Sequence, residues 1–312
     1  MARPLRIECP GCFYHVTSRG NEQKDIFKCR RDREKFLTYL QSAVERYGAR
    51  IHAYCLMTNH YHLLLETPKG NLSQIMRHIN GAYTTYFNVK RKRIGHLFQG
   101  RYKAIIVEAD EYALELSRYI HLNPVRVGLV AKPQEYEWSS YRGYSGLTVP
   151  PDWLTRNLIL DHFGAPDQEG KYRNFMESIN GESNESPLKA VVASTLLGSP
   201  GFVAEISAKH VRNIDADRNV PAVKQLTGKL TVEEVVEAVK RATGAEGGLL
   251  RKISIHLCHR YSGMKLKEIG EKFGVSDAAV SVTSKRLLVQ ASKDVKTRDA
   301  LEAAKKLLIV ET

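Results

Sequence analysis

The sequence predicts an α+β protein: an antiparallel sheet with packed helices, then a linker region, then an all-α domain. Three observations support this organisation. Strand-like and helix-like segments follow one another in the order β-α-β-β-α-β up to residue 108, residues near 145–228 are rich in Gly, Pro, Ser and Asn, and helical periodicity returns from Leu230. We therefore expect three regions: residues 1–145, a partly helical linker region at 146–228, and residues 229–312.

Side-chain periodicity indicates the first six elements. Runs of aromatic and β-branched residues are typical of strands, whereas apolar residues three to four positions apart are typical of helices. In chain order the predicted segments are strand 13–17, helix 31–47, strands 51–57 and 60–67, helix 71–87 and strand 102–108. Thr58 and Asn59 form a short turn, so the second and third strands are expected to pair as a hairpin. This order is that of a ferredoxin-like sheet with helices on one face.

A seventh segment, 110–123, is expected to form a helix added to this sheet. Pro124 follows it directly. Because proline lacks a backbone N–H and disfavours helical geometry in the residue before it, we expect the helix to end at Asn123.

The last region is predicted to contain a helix-turn-helix. Amphipathic segments at 231–242 and 249–261 precede it, and residues 265–289 indicate a helix, a tight turn at 274–276 and a second helix. The second helix of such a motif enters the DNA major groove. Its outward-facing candidates for DNA contacts are Ser281, Lys285 and Arg286. A helical protein-contact domain is the alternative, although the basic residues favour DNA.

The charge balance favours a polyanionic partner. The chain has 312 residues, enough for two domains, with 47 Lys and Arg against 34 Asp and Glu and a net charge of +13. Residues 1–150 hold 23 of the basic and 13 of the acidic side chains, so the first half carries +10 and the remainder +3. We therefore expect nucleic acid to bind mainly to the first half.

The sequence is not expected to belong to a membrane protein or to a disulfide-rich protein. No apolar run approaches the roughly 20 residues that span a bilayer, and the N-terminus lacks the apolar segment of a signal peptide, so we expect a cytoplasmic, nucleoid-associated protein without a membrane partner. Five cysteines in this length do not make a disulfide framework, and we expect reduced thiols. Cys9 and Cys12 have the spacing of a redox or zinc pair, but the residues between them more simply indicate a turn.

A pair of histidines carries the strongest chemical signal. His60 and His62 flank one residue in a predicted strand, so they share a face on which two imidazoles can bind one divalent metal ion. Such a pair needs a third ligand, and Asn123 can supply an amide oxygen. Imidazole and amide ligands completed by phosphate and water suit Mg²⁺ or Mn²⁺. A structural role is the alternative for a single His-x-His pair.

Tyr119 is the candidate nucleophile. It precedes Asn123 by four residues, so both side chains share one helix face. A tyrosine can attack phosphorus and retain the energy of a broken phosphodiester as a phosphotyrosine. Because the pKa of a phenol in water is about 10, activation needs positive charge or a metal-polarised phosphate nearby. Packing in the core is the alternative role for one of 15 tyrosines.

Other basic and polar residues of the first region are candidates for DNA contacts. Two follow the first strand, two lie in the basic run after the second helix, and four mix polar and cationic side chains with an aromatic around the start of the fourth strand. They are Arg19, Asn21, Arg91, Arg93, Gln99, Arg101, Tyr102 and Lys103. A solvated helix end is the alternative interpretation of the basic run.

Several linked motifs resemble one family. His60-Tyr61-His62 together with Tyr119 is similar to the HUH single-strand endonucleases, and specifically to their one-tyrosine transposases. The segments at 15–21, 57–63, 95–103, 119–126 and 138–141 are similar to those of the REP-associated tyrosine transposases. The resemblance covers about residues 1–145 and implies the HUH endonuclease fold for them.

The resemblance also implies a function. Members cleave and rejoin single-stranded DNA, usually next to a hairpin, through a 5′-phosphotyrosine intermediate. In family terms His60 and His62 are metal ligands and Tyr119 is the nucleophile. Asn123 stands where insertion-sequence relatives use glutamine as the third ligand, a departure shared by the REP-associated branch.

The end of the chain resembles a second family. Residues 230–288 are similar to the C-terminal DNA-binding domain of the replication initiator DnaA. They depart from it at 274–279, where that family has Gly-Arg-Asp-His-Thr-Thr, so its origin-box specificity is not carried over.

We therefore expect a metal-dependent DNA nuclease and strand transferase that needs no ATP. Its expected partners are single-stranded DNA with a hairpin for the first region and double-stranded DNA for the last, with monomer and homodimer both open. Two rival functions remain: a non-catalytic DNA-binding regulator that keeps the fold, and an HUH replication initiator or relaxase, which more often has a second tyrosine or another histidine in the site.

Overall fold

The computed structural model describes residues 6–178, 186–211, 231–244, 246–262 and 264–310. They group into a first compact unit, Arg6–Phe202, and a second unit that begins at Val203. No helix in these ranges is both long and apolar enough to cross a membrane.

A five-stranded sheet forms the centre of the first unit. Its strands are β1 (Cys12–Arg19), β2 (Arg50–Leu56), β3 (His60–Thr67), β4 (Lys103–Val107) and β5 (Leu196–Leu197). They lie in the order β2-β3-β1-β4-β5. The first four pair antiparallel in ferredoxin-like order, and β2 and β3 form a hairpin, so both predictions are confirmed. The two-residue β5, which pairs parallel to β4, was not predicted.

Three long helices cover the two faces of this sheet. They are α1 (Arg30–Tyr47), α2 (Leu72–Lys90) and α3 (Ala109–Arg126). On one face, the ring of Phe36 in α1 packs 4.8 Å from that of Tyr61 in β3 and 5.1 Å from that of Tyr83 in α2. The neighbouring residue His62 points to the other face, where it meets Tyr119 of α3. The first two helices therefore share a face, and the added helix lies on the opposite one.

The prediction that α3 ends at Asn123 was wrong. The helix continues through Pro124 to Arg126, and the N–H of Val127 donates to the carbonyl of Asn123 at 3.3 Å. Because Pro124 lies in the last turn, its missing N–H removes only one helical hydrogen bond, and the chain turns at Gly128 (φ +70°) directly afterwards. Arg126 is consequently part of the helix that carries Tyr119.

The prediction of reduced thiols was wrong for Cys9 and Cys12, which form a disulfide. Gly11, in the turn between them, has φ +74°, a conformation that glycine adopts readily. This turn brings the two Cα atoms within 5.4 Å, a normal separation for a disulfide. Cys29 and Cys55 are not part of a disulfide.

Much of the segment after residue 136 packs onto α3. Its short helices are α4 (Tyr141–Tyr144), α5 (Asn157–Leu160) and α6 (Gln168–Glu177), and a further helix, α7 (Pro200–Ile206), begins at the end of the first unit. The fully buried ring of His121 in α3 is bonded through Nδ1 to the hydroxyl of Tyr172 and through Nε2 to that of Ser140, each at 2.6 Å. Helices α5 and α6 of the predicted linker region therefore belong to the first unit, whereas residues 179–185 and 212–228 of that region lie outside the described residues.

The second unit is helical in its described residues from 231 onward. Its helices are α8 (Val232–Thr243), α9 (Gly247–Tyr261), α10 (Leu266–Phe273), α11 (Asp277–Lys293) and α12 (Val295–Val310), the last of which was not predicted. Their buried core includes Val235, Ile253, Leu257, Ile269 and Leu287. The turn between α10 and α11 passes so close to Gly270 that a Cβ there would lie 2.5 Å from the carbonyl oxygen of Val275. Gly270 thus permits the tight junction of the two helices.

Candidate active site

Three of the predicted site residues, the ligand candidates His60 and His62 and the candidate nucleophile Tyr119, come together on the α3 face of the sheet. The rings of His60 and His62 have centroids 5.0 Å apart, and the ring of Tyr119 lies edge-on to His62 at 5.8 Å. β3 is flanked by β1 and β2, and Ile120 fixes α3 by complete burial beside Tyr119. Rigid elements therefore hold the phenol next to the histidine pair.

Asn59 holds His60. The Nδ2 of Asn59 donates to the carbonyl of Gln23 at 3.0 Å, so its Oδ1 faces the Nδ1 of His60 at 2.7 Å. An amide oxygen only accepts, so His60 Nδ1 carries the proton and donates it. This leaves Nε2 of His60 as the nitrogen with an available lone pair.

A third histidine, His15 of β1, contacts His62. The two rings are nearly parallel, with centroids 5.2 Å apart, and His15 Nε2 lies 3.0 Å from His62 Nδ1. The ring of His15 also lies edge-on to Tyr119 at 6.1 Å. His15 is thus in contact with both a predicted ligand and the predicted nucleophile.

Burial keeps all three imidazoles neutral. It lowers the pKa of His15 to about 4, and burial together with the charge of Arg19 lowers the pKa of His60 to about 4. Burial, then the neighbouring histidines, holds the pKa of His62 well below its usual 6.5. Neutral imidazole is the form that binds metal ions, so the site needs no deprotonation at pH 7.

The histidine pair has the donors and spacing of two ligands of one ion. Two imidazoles bound to one metal through nitrogen have ring centroids about 5 Å apart, given metal–nitrogen bonds of about 2.1 Å. The observed 5.0 Å fits this value. Among the described residues, no group of three or more His, Cys, Asp or Glu side chains is placed to hold a metal ion.

Asn123, the predicted third ligand, lies one turn after Tyr119 on α3. Its side chain is buried, and its Nδ2 donates to the carbonyl of Tyr119 at 2.8 Å. This bond orients the amide and leaves Oδ1 as its acceptor atom. An amide oxygen is a suitable ligand for Mg²⁺ or Mn²⁺, so the donor set fits these ions.

Arg126 places a positive charge over the ring of Tyr119, the candidate nucleophile. Its guanidinium carbon lies 4.7 Å from the centroid of the Tyr119 ring. The Nε of Arg126 is buried without a hydrogen-bond partner in the described structure, and burial lowers the pKa of the side chain. The guanidinium therefore packs over the ring as a cation–π contact.

Among the predicted DNA-contact residues, Arg19 lies beside a histidine of the site. Arg19 pairs in register with His60 across β1 and β3 and is exposed. The backbone N–H of Gln99 donates to the carbonyl of Arg19 at 2.8 Å, and that of Asn21 to the carbonyl of Leu97 at 2.9 Å. The structure thus brings Arg19, Asn21 and Gln99 together at the end of β1.

Arg91 and Arg93 are engaged within the protein. Arg91 Nη2 donates to the buried carboxylate of Asp32 at 2.7 Å. The guanidinium of Arg93 donates to the carbonyl of His96 at 2.8 Å and to Asn88 Oδ1 at 3.4 Å. Any DNA contact by these two residues would have to share or replace these bonds.

Arg101 and Tyr102 line a groove of about 500 Å³ beside α2. The guanidinium carbon of Arg6 lies 4.0 Å from the centroid of the Tyr102 ring, so Arg6 already covers one ring face. Asn80, also in the groove, bonds to the hydroxyl of Tyr61, which faces away from His62. The groove is therefore on the sheet face opposite Tyr119, with exposed Lys103 next in sequence at the start of β4.

The DNA-contact candidates of the second unit lie on α11. Lys285 and Arg286 are exposed and Ser281 is half-buried. Ser284 instead points inward, where its hydroxyl bonds to Nδ1 of His256 at 2.8 Å. α11 thus presents a basic face to solvent while it is anchored to α9.

Sequence reasoning missed three residues of the site: His15, Asn59 and Arg126. All three belong to the motifs quoted above, but no role was assigned to them. A signal for Arg126 existed, because it follows Tyr119 by seven residues, two helical turns, but the helix was expected to end before it. A signal for His15 did not exist, because it depends on the strand register.

Comparison with known proteins supports the family resemblance. Residues 9–123 match the model of the family described as "Transposase IS200 like". A Haemophilus influenzae protein named "Putative REP-associated tyrosine transposase" is 24% identical over 131 residues, which cover 38% of this chain and 74% of that protein. A solved REP-associated tyrosine transposase bound to a REP hairpin aligns with 51% of this chain and 94% of its own, at 15% identity and a TM-score of 0.42. The predicted resemblance is thus confirmed for the part of the chain that contains His60, His62, Tyr119 and Asn123.

Proposed function

We propose that the first unit is a metal-dependent nuclease and strand transferase that acts on single-stranded DNA next to hairpins. The observation that carries the proposal is the convergence of Tyr119 with His60 and His62 on one sheet face, within a segment similar to IS200-like transposases. Arg19, exposed beside His60, is suited to hold a DNA phosphate there.

The chemical step transfers a DNA phosphoryl group from O3′ to Tyr119. Tyr119 Oη attacks the phosphorus of a phosphodiester, an Oη–P bond forms and the bond from phosphorus to O3′ breaks. The phenol loses a proton and O3′ gains one, so the products are a 3′-hydroxyl and a 5′-phosphotyrosine. Because the bond energy is retained, attack by another 3′-hydroxyl rejoins the DNA without ATP.

His60, His62 and Asn123 would hold the metal ion, Mg²⁺ or Mn²⁺, through Nε2, Nε2 and Oδ1. When bound, the ion supplies Lewis-acid polarisation of the scissile phosphate. Arg126 holds the Tyr119 ring and places a positive charge beside it.

The proposal is tested by incubating the full chain with labelled single-stranded hairpins from the DNA flanking its gene. We expect a protein–DNA adduct that survives SDS in Mn²⁺ and disappears in EDTA. Hairpin binding without an adduct in either metal would contradict the proposal and favour the non-catalytic regulator. Nicking without rejoining of two ends would favour the replication initiator or relaxase.

Arg126→Leu is expected to lower the rate of adduct formation by about 10- to 100-fold, because it removes the cation over the phenol. Single-turnover kinetics at saturating hairpin measures this. Arg126→Lys keeps the charge and should recover part of the rate, whereas equal rates for Arg126→Leu and wild type would contradict the role.

We propose that the second unit binds double-stranded DNA through α11. Three features support this: α10 and α11 are joined by a three-residue turn, Gly270 permits that junction, and α11 exposes Lys285 and Arg286. Its resemblance to the DnaA domain points in the same direction.

The double substitution Lys285→Ala and Arg286→Ala is expected to weaken binding to duplex DNA and to reduce the salt dependence, d log K/d log[salt], by about 2. Fluorescence anisotropy across a salt series measures the slope. The matched control, Lys240→Ala with Lys296→Ala, removes two exposed lysines from α8 and α12. The same slope for all three proteins would exclude α11 as the phosphate-binding element.

A further inference from the structure

We infer that Asn59 and His15 are positioning residues that set the tautomers of His60 and His62, so that both histidines present Nε2 to one ligand. Neither residue was assigned a role by the sequence. The inference rests on the proposed function, because the ligand concerned is its metal ion.

The Asn59 side of the argument follows from its two hydrogen bonds. Nδ2 of Asn59 is occupied by the carbonyl of Gln23, so the amide cannot rotate without losing that bond. His60 Nδ1 therefore always meets an acceptor, Oδ1, at 2.7 Å. A ligating histidine typically donates its other ring N–H to such a group, which fixes the ring and raises the basicity of the ligating nitrogen.

The His15 side involves a choice between two tautomers. One proton is shared between His15 Nε2 and His62 Nδ1, which are 3.0 Å apart. If His15 donated it, the one ring proton of neutral His62 would lie on Nε2 and block metal binding there. If His62 donates it, Nε2 of His62 keeps its lone pair. Only the second arrangement leaves Nε2 of His62 able to bind the metal ion, as Nε2 of His60 is.

One ring nitrogen of His15 has no partner. Nδ1 is buried without a hydrogen-bond partner in the described structure, whichever of the two rings donates. Buried polar atoms of this kind are rare and call for an explanation. Here the unpaired Nδ1 belongs to a ring whose other nitrogen holds a predicted ligand.

His52, another buried histidine of the same sheet, has a structural role and can be compared with His15. His52 of β2 bonds through Nε2 to the carboxylate of Glu66 at 3.1 Å, and Glu66 is also paired with Arg50. Its ring packs against Phe13, not against Tyr119. His52 is therefore a matched control for His15: equally buried, in the same sheet, and without contact to the site.

The first test is metal affinity of the full chain, measured by isothermal titration with Mn²⁺. We expect His15→Leu and Asn59→Ala each to weaken Mn²⁺ binding by about 10- to 100-fold. His15→Gln should stay within about threefold of wild type, because its amide oxygen can accept from His62 Nδ1. His52→Leu should bind Mn²⁺ as wild type does, which separates positioning from general loss of stability.

The second test is the tautomer itself, read from the ¹⁵N chemical shifts of His62 in metal-free protein. We expect the proton on Nδ1 in wild type and in His15→Gln, and largely on Nε2 in His15→Leu. A proton on Nε2 in wild type, or Mn²⁺ affinity unchanged by His15→Leu, would overturn the inference. A wild-type protein that shows the expected tautomer but binds no Mn²⁺ would instead overturn the proposed metal dependence.

Discussion

Tyr119→Phe is expected to abolish covalent attachment to a single-stranded hairpin, a loss of at least about 10³-fold, while hairpin affinity changes less than about threefold. The substitution removes only Oη. Phenylalanine keeps the ring, and with it the contacts to His15, His62 and Arg126, so the site should hold its shape. Denaturing gels detect the adduct, and a binding titration in EDTA gives the affinity.

A second tyrosine of the same unit provides the control. Tyr39 lies in α1 on the opposite face of the sheet, where its ring packs against His78, so Tyr39→Phe should form the adduct normally. Adduct formation by Tyr119→Phe at the wild-type rate would disprove Tyr119 as the nucleophile. Loss of hairpin binding with the same substitution would show instead that the phenol belongs to the DNA-binding surface.

Asp32→Ala is expected to destabilise the first unit by about 2–4 kcal/mol at pH 7. The carboxylate is fully buried and accepts from Lys90 at 2.5 Å, Arg91 at 2.7 Å and the backbone of Lys28 at 3.0 Å. Breaking a buried ion pair costs about 3–5 kcal/mol, and the loss is smaller here because both cations reach solvent. Both tryptophans, Trp138 and Trp153, lie in the first unit, so their fluorescence during urea unfolding isolates its transition.

This loss should depend on pH in one direction. Burial alone would raise the pKa of Asp32, but the hydrogen bonds from Lys90 and Arg91 hold it well below its usual range. The stabilisation is therefore complete above about pH 5 and decreases as pH falls below about 4, where the unfolded carboxyl becomes protonated. The difference between wild type and Asp32→Ala should shrink accordingly. Asp25→Ala, at an exposed position, should show little difference at any pH.

The same ion pair explains one limit of sequence reasoning. The run from Lys90 to Arg93 was interpreted as a candidate DNA-binding cluster because its charges are adjacent in the chain. Whether a charge is available depends on what lies across from it, and Asp32 is 58 residues away from Lys90. A sequence shows the number of charges in a segment but not the partners that neutralise them.

Local patterns predicted the sheet well because each strand and helix has its own periodicity. The β-α-β-β-α-β order then allowed the ferredoxin-like pairing to be inferred, and the antiparallel order is observed. β5 could not be inferred, because two residues carry no periodicity and its pairing with β4 depends on a distant part of the chain. The predicted end of α3 came too early in the chain. Proline disrupts helix interiors, but Pro124 lies in the last turn, where the helix tolerates it.

The candidate site was predictable where its residues share one element. His60 and His62 share a strand, and Tyr119 and Asn123 share a helix, so spacing alone placed each pair. His15 required the register between β1 and β3, which sets Thr17 opposite His62. That register is a tertiary property, and a shift of one residue would have turned His15 to the other face.

β5 lies far after β4 in the chain, so the ribosome makes it long after the other four strands. Ser199, just after β5, donates to the carboxylate of Glu108, which immediately precedes the helix of Tyr119 and lies 91 residues earlier. At roughly 5–20 residues per second, a ribosome needs about 5–18 s to make that stretch. During this interval β4 is an open sheet edge in a nascent chain that already contains Tyr119. The sheet can therefore be completed only after the chain has been extended well past Tyr119 and Asn123.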